Sequence, residues 1–218
     1  MKRHDMAETR SRPRKERTEN ANRRRRQLLD AAKRSILTHG LARTTLATVA
    51  DEAGLSQGVA VFYFKSKNGL LTETLRDLYS QYEALWMRAL EKAGGDPREQ
   101  LGAIVAADFD PRACGPKVLP LWFAFWGELR FSAQYAEVAQ EFDQRRRDAL
   151  TRVWSALMQG AAPGAAEELA DWMETLTDGY WQHLHVAPGA IDRARAERAT
   201  RVFLARMVPT LAGHIDRA

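Results

Sequence analysis

Two short apolar segments, Leu46–Ala53 and Val59–Phe64, flank the corner Gly54-Leu55-Ser56, and the reading of the second decides the fold class. Taken alone, "VAVFYF" is a β-branched and aromatic run with Gly58 before it and Lys65-Ser66-Lys67 after it, the look of a buried strand. Its surroundings argue against that. The chain on either side has helical spacing, and a strand here would have no partner. Thr44 and Thr45 offer an N-cap to a helix that buries Leu46, Val49, Ala50 and Ala53 and stops at Gly54. Ser56 offers the next N-cap, after which Ala60 and Phe64 share one face with Leu55 just ahead of it, while Gln57, Gly58, Val61 and Phe62 point elsewhere. A short helix, a glycine-containing turn and a second short helix make a helix-turn-helix.

The remainder supports an all-α chain. Leu28, Leu29, Ala32, Ile36 and Leu37 form a stripe beginning after Asn22 and stopping at Gly40, which predicts a first helix. Ser66 caps a long fourth helix carrying Leu70, Leu71, Leu75, Leu78, Tyr82, Leu85, Trp86 and Leu90 until "GGDP" breaks it. Further helices are expected at Pro97–Phe109, Pro116–Phe131, Ala133–Gln159, Ala165–Val186 and Ala190–Leu211. The expected organisation is a basic, flexible arm over 1–21, a helix-turn-helix domain over 22–67, and a larger helical domain over 68–218.

Charge separates the arm from the rest. Residues 1–26 hold eleven Lys or Arg against four Asp or Glu, so a chain of net charge +5 is mildly acidic beyond them. Such a tail has little to bury and attracts a polyanion, or serves only as a solvated arm. The longest apolar run, Val118–Trp126, is too short for a bilayer, so no membrane partner is expected. Arginines stand where a secretory signal would be apolar, and the lone Cys114 has no disulfide partner within the chain; both point to a reducing cytoplasm.

"TTLATVADEAGLSQGVAVFYFKSKNGLL", Thr44–Leu71, resembles the TetR family of bacterial one-component transcriptional regulators in residue order and spacing. The resemblance implies DNA binding. It places Thr45 at a phosphate, Gln57, Gly58, Val59, Val61 and Phe62 in or beside the major groove, and Tyr63 and Lys67 on the backbone, with Thr48 and Ser56 as further candidates. Many relatives carry Tyr-His or Tyr-Tyr where this chain has Val61-Phe62, so a tyrosine contact at 61 is not available. The chemistry is compatible: glutamine pairs bidentately with adenine, apolar side chains touch the thymine methyl, and a glycine lets the helix backbone approach the groove. Thr45 and Ser56 also read as simple caps, Tyr63 as core and Lys67 as a surface charge.

The second half resembles the BetI branch of that family, whose members repress choline-to-glycine-betaine genes and are relieved by choline. The resembling stretches are "DFD" at 108–110, "LPLWFAFWGEL" at 119–129, "RRRDAL" at 145–150 and "DGYW" at 178–181. Trp122, Phe125 and Trp126 fall on one helical face, and aromatic faces attract cations that cannot donate hydrogen bonds. Asp108, Glu128 or Asp178 would supply the opposing charge, with Phe109 and Trp181 completing the candidate ligand set. Aromatic stripes also build ordinary cores.

A single helix-turn-helix reads few base pairs, so pairing to span two half-sites about 34 Å apart is expected. The last two helices resemble the family's dimerising pair, with Leu169, Trp172, Met173, Leu176, Val202, Phe203 and Met207 in excess of what a peripheral helix needs. No cofactor is implied. An enzyme is disfavoured: His183 and His185 sit about 200° apart around a helix and cannot share a metal locally, and no phosphate-binding glycine loop occurs.

Overall fold

The computed structural model describes residues 8–158 and 162–208, with side chains from residue 17 onward. These residues form α-helices and no strand, grouped into two compact units that divide after Thr74.

The first unit holds α1 (Glu8–Arg43), α2 (Leu46–Glu52), α3 (Gln57–Phe64) and the start of α4 (Lys67–Ala93). Its core joins Leu28, Leu29, Ala31 and Ala32 of α1 to Val49 and Ala50 of α2, to Ala53, to Ala60 and Phe64 of α3, and to Leu70 of α4. Each large apolar side chain buried here contributes about 1.5–3 kcal/mol, and the intervening alanines let the helices approach closely. Val59–Phe64 is therefore helical, as its helical flanks and the buried face of Ala60 and Phe64 require. The expected stop at Gly40 is a kink, with φ +78° inside α1, and the Thr44 hydroxyl donates to the Gly40 carbonyl at 2.9 Å.

Two expectations in this unit are corrected. Residues 8–21 of the predicted flexible arm continue α1 rather than standing apart from it, while residues 1–7 lie outside the described residues. The physical reason is propagation: α1 is anchored by the buried Leu28 and Leu29, and the Arg, Lys and Glu residues ahead of them are good helix formers, with Pro13 alone giving up its ladder bond. Ser56 does occupy the N-cap of α3, but its hydroxyl makes no capping bond. The α2 cap is fully formed: the Thr48 amide donates to the Thr45 hydroxyl at 3.1 Å and the Thr45 amide donates to the Thr48 hydroxyl at 2.9 Å.

The corner between α3 and α4 is tightly specified. Lys65 takes φ +66°, and the Gly69 amide donates to the Ser66 hydroxyl at 3.0 Å. A Cβ at Gly69 would overlap the Phe64 carbonyl oxygen, so only glycine fits there.

The second unit contains the rest of α4 and α5 (Pro97–Asp108), α6 (Pro111–Cys114), α7 (Leu119–Trp126), α8 (Ala133–Leu157), α9 (Ala165–Val186) and α10 (Arg193–Met207). The segment read as one helix from Pro116 to Phe131 is shorter, because Gly115 takes an extended conformation before it and "GELRFS" leaves the helix after Trp126. The last helix starts at Arg193, capped by Asp192, and not at Ala190; the Asp192 carboxylate accepts from the Arg195 amide at 2.7 Å. The expected ends at Gln159 and Leu211 lie outside the described residues. The most extensive pairing is α8 against α9, and all six tryptophans fall in this unit. No described helix is long and apolar enough to cross a membrane.

Candidate functional site

In the first unit α3 turns one face to solvent. Ser56, Gln57, Gly58, Val61 and Phe62 are exposed, Phe62 to 68%, whereas Val59 and Tyr63 pack partly against the core. Val61 and Phe62 stand bare side by side on this face, an apolar pair open to a partner. Nothing in the fold asks for glycine at 58: a Cβ there would meet only the Ser56 hydroxyl, at 3.8 Å. Thr45 and Thr48 are engaged in their reciprocal cap. The Lys67 ammonium donates to the Ala42 carbonyl at 2.5 Å, satisfying the end of α1. Sequence reasoning passed over Lys65, whose ammonium bonds the Phe62 carbonyl at 2.8 Å and lies 5.3 Å from the Phe62 ring centre, adding a cation to this face.

In the second unit a cavity of about 340 Å³ opens among α4, α7, α8 and α9. Its aromatic walls are Tyr79, Tyr82, Trp122, Trp126 and Trp181. Trp126 stacks on Trp181 at 6.2 Å and 12°, and Trp122 meets Tyr79 edge-on at 4.8 Å. Two indoles are fixed by backbone carbonyls: Trp122 Nε1 donates to Ala113 at 3.1 Å and Trp181 Nε1 donates to Asp108 at 3.0 Å.

Behind that wall lies a buried ion pair. Arg146 Nη2 donates to both carboxylate oxygens of Asp108, at 2.8 and 2.9 Å, and the Tyr82 hydroxyl donates to the same carboxylate at 2.7 Å. Asp108 is wholly buried, and desolvation pushes its carboxyl up against the guanidinium's pull. The guanidinium also lies 5.0 Å from the Tyr82 ring centre. Asp108 thus anchors the scaffold and does not line the cavity.

Three other carboxylates do line it: Asp143 from α8, with Glu174 and Asp178 from α9. Asp143 and Asp178 are exposed at their surface edge, yet the protein packed around their carboxylates disfavours the charge and pushes each up to about 6. Desolvation likewise raises Glu174 to about 7. Arg146 and Arg147 oppose these shifts in part.

Of the expected ligand set, the cavity brings together Trp122, Trp126, Asp178 and Trp181. It does not include the others. Phe125 is buried against Tyr135, with ring centres 5.5 Å apart; Phe109 packs on Tyr180; Glu128 is exposed. Tyr79, Tyr82, Asp143 and Glu174 were missed, because their meeting depends on how α4, α8 and α9 align. Among the described residues no group of three or more His, Cys, Asp or Glu side chains is placed to hold a metal. His183 is exposed and His185 stacks on Phe123 at 4.5 Å.

The first unit thus presents a helix-turn-helix with a bare outward face, and the second a set of helices around an aromatic, acidic cavity. Residues 28–74 match the family model for bacterial regulatory proteins of the tetR family, and residues 97–209 match that of the BetI-type transcriptional repressor C-terminal domain. The chain belongs to the TetR family, with a BetI-type C-terminal domain, and is a DNA-binding repressor and not an enzyme. It is similar to the HTH-type transcriptional regulator BetI of Escherichia coli K12, 31% identical over 188 residues that cover 86% of this chain and 95% of that one. BetI of Burkholderia ambifaria MC40-6 is 35% identical over 181 residues, 83% and 92% of the two chains. Two solved structures share the fold. A regulator from Pseudomonas aeruginosa PAO1 has a TM-score of 0.79 at 24% identity, covering 90% of this chain and 94% of that one. One from Saccharomonospora viridis, in complex with choline, has a TM-score of 0.70 at 21% identity, covering 83% and 94%.

Proposed function

We propose that this repressor answers to choline and controls genes that convert choline to glycine betaine. The observation that carries the reading is the cavity itself: Trp122, Trp126 and Trp181 with Tyr79 and Tyr82 offer aromatic faces, and Asp143, Glu174 and Asp178 offer negative charge. A quaternary ammonium donates no hydrogen bonds, so ring quadrupoles and carboxylates are the groups that hold it. The BetI names of the relatives and the choline complex of the Saccharomonospora viridis protein support the same ligand. Choline titrated into the protein on its own upstream DNA is expected to release the DNA. Trp126→Ala should weaken choline binding about tenfold, the loss of one desolvated cation–π contact. Undiminished affinity in that variant, or a DNA complex that choline leaves intact, would reject the reading.

On the operator, Gln57, Gly58, Val61 and Phe62 face the bases, with Val59 beside them and Tyr63 on the DNA backbone. Thr45, Thr48, Ser56 and Lys67 reach phosphates, Lys67 by exchanging the Ala42 carbonyl for a phosphate oxygen. Release requires that choline prefer one arrangement of the second unit over another, since equal affinity shifts nothing. Two copies pair through α9 and α10. Leu169 and Met173 are spent on the unit's own core, but Trp172, Val202, Phe203 and Met207 remain 37–43% exposed, an apolar face suited to a second copy. Combining Trp172→Glu with Phe203→Glu is expected to give a monomeric mass by sedimentation; a dimer persisting in that variant would place the interface elsewhere.

A further inference from the structure

The cavity holds more negative charge than a single monovalent cation neutralises. Asp108 already takes Arg146 in a bidentate pair. Arg147 leans outward to Asp171 at 3.0 Å and stands 3.9 Å from Glu174, and Arg146 is 3.7 Å from Glu174. From α4 only the neutral Tyr79 and Tyr82 face the site, from α7 only Trp122 and Trp126, and from the turn after α7 only Leu129. Asp143, Glu174 and Asp178 are thus left with incomplete compensation. Glu174 and Asp178 also stand four residues apart on one helix, where like charges repel.

We propose that the cavity exchanges a proton for its cation: in the empty site one proton is shared among Asp143, Glu174 and Asp178, and it leaves to solvent when a quaternary ammonium enters. The balance is simple. A carboxylic acid O–H ionises, the carboxylate keeps the electron pair and faces the ammonium, and buffer takes the proton. Desolvation is the main cause that holds protons on these acids, with neighbouring carboxylates adding to it at Glu174 and Asp178, and a cation in the cavity offsets both. Their raised carboxyls, about 6 for the two aspartates and about 7 for Glu174, set the window. Above it the acids are ionised and the cation binds without competition. As pH falls through it protons occupy the same charges, so affinity drops and the repressor stays on its operator at a choline level that would release it at higher pH.

This inference rests on the choline reading, and one experiment separates the two. Choline chloride is titrated calorimetrically into the full chain in phosphate and in imidazole at about pH 6.5, and its Kd is followed from about pH 5.5 to about pH 8. The expected result is a buffer-dependent heat corresponding to release of up to about one proton per choline, with Kd weakening about tenfold across the acid half of the range. Glu174→Gln and, independently, Asp178→Asn should reduce the proton release and flatten the pH dependence while circular dichroism stays unchanged. Choline binding with equal heat in both buffers and a constant Kd overturns the exchange and leaves the choline reading standing. No binding at any pH in the range overturns both.

Discussion

Replacing Arg146 by methionine is expected to destabilise the second unit by about 3–5 kcal/mol at neutral pH, because it strands a carboxylate in a site with no access to water. Asp108 is fully buried, and its Tyr82 and Thr177 partners, at 2.7 and 3.4 Å, are neutral donors that cannot replace a guanidinium. The pH dependence has a definite sign. Burial already raises Asp108 in the intact protein, and without Arg146 it rises further. A group whose folded pKa lies above its unfolded value weighs against the fold wherever the unfolded chain ionises first, so the deficit should vanish below about pH 4 and keep growing as pH rises towards neutrality. Urea unfolding followed by near-ultraviolet circular dichroism measures it. Adding Asp108→Leu to Arg146→Met should recover most of the loss, as replacing both partners of a buried pair by apolar side chains commonly does. A single Arg146→Met variant as stable as the parent at neutral pH would show that Asp108 is neutral in the fold and that the pair contributes no charge.

Gly58→Leu is expected to abolish measurable operator binding while leaving the first unit at least as stable. The fold leaves room at this position, and glycine in a helix is up to about 1 kcal/mol less favourable than alanine, so Gly58→Ala should raise the thermal midpoint. A residue that costs stability on an exposed face is explained by what approaches that face. If α3 lies in a major groove, a leucine two residues into the helix holds the backbone away from the bases; even the alanine variant should lose about tenfold in affinity, one good contact's worth. Fluorescence anisotropy on the upstream DNA, with thermal melting of the same samples, separates the two effects. A Gly58→Leu protein that binds its operator undiminished would remove α3 from the reading face.

The helix-turn-helix was legible in the sequence because its signals are local. Thr45 and Thr48 cap within one turn, Gly54 ends a helix where a left-handed residue is needed, and Ala60 with Phe64 marks the buried face of a run that is apolar throughout. The start of α1 was hidden because a polar helix propagated from a buried nucleus has no apolar stripe of its own to announce it. The cavity was half legible. Trp122 and Trp126 are one turn apart and share a wall, but Phe125, on nearly the same face, turns to Tyr135 on α8; spacing gives a face, and the packing partner decides which edge of it is solvent-lined. Asp143 and Glu174 lie far apart in sequence, and their meeting depends on the alignment of α8 with α9, which no local pattern encodes.

The confinement of every tryptophan to residues after Thr74 makes the ligand unit its own optical reporter. Indole emission responds to the polarity and charge beside the ring, and three of the six indoles wall the cavity, so cation entry should register as a change in intrinsic fluorescence without any label. The first unit carries no indole, and a dye on the operator therefore reports DNA occupancy in a separate spectral channel of the same cuvette.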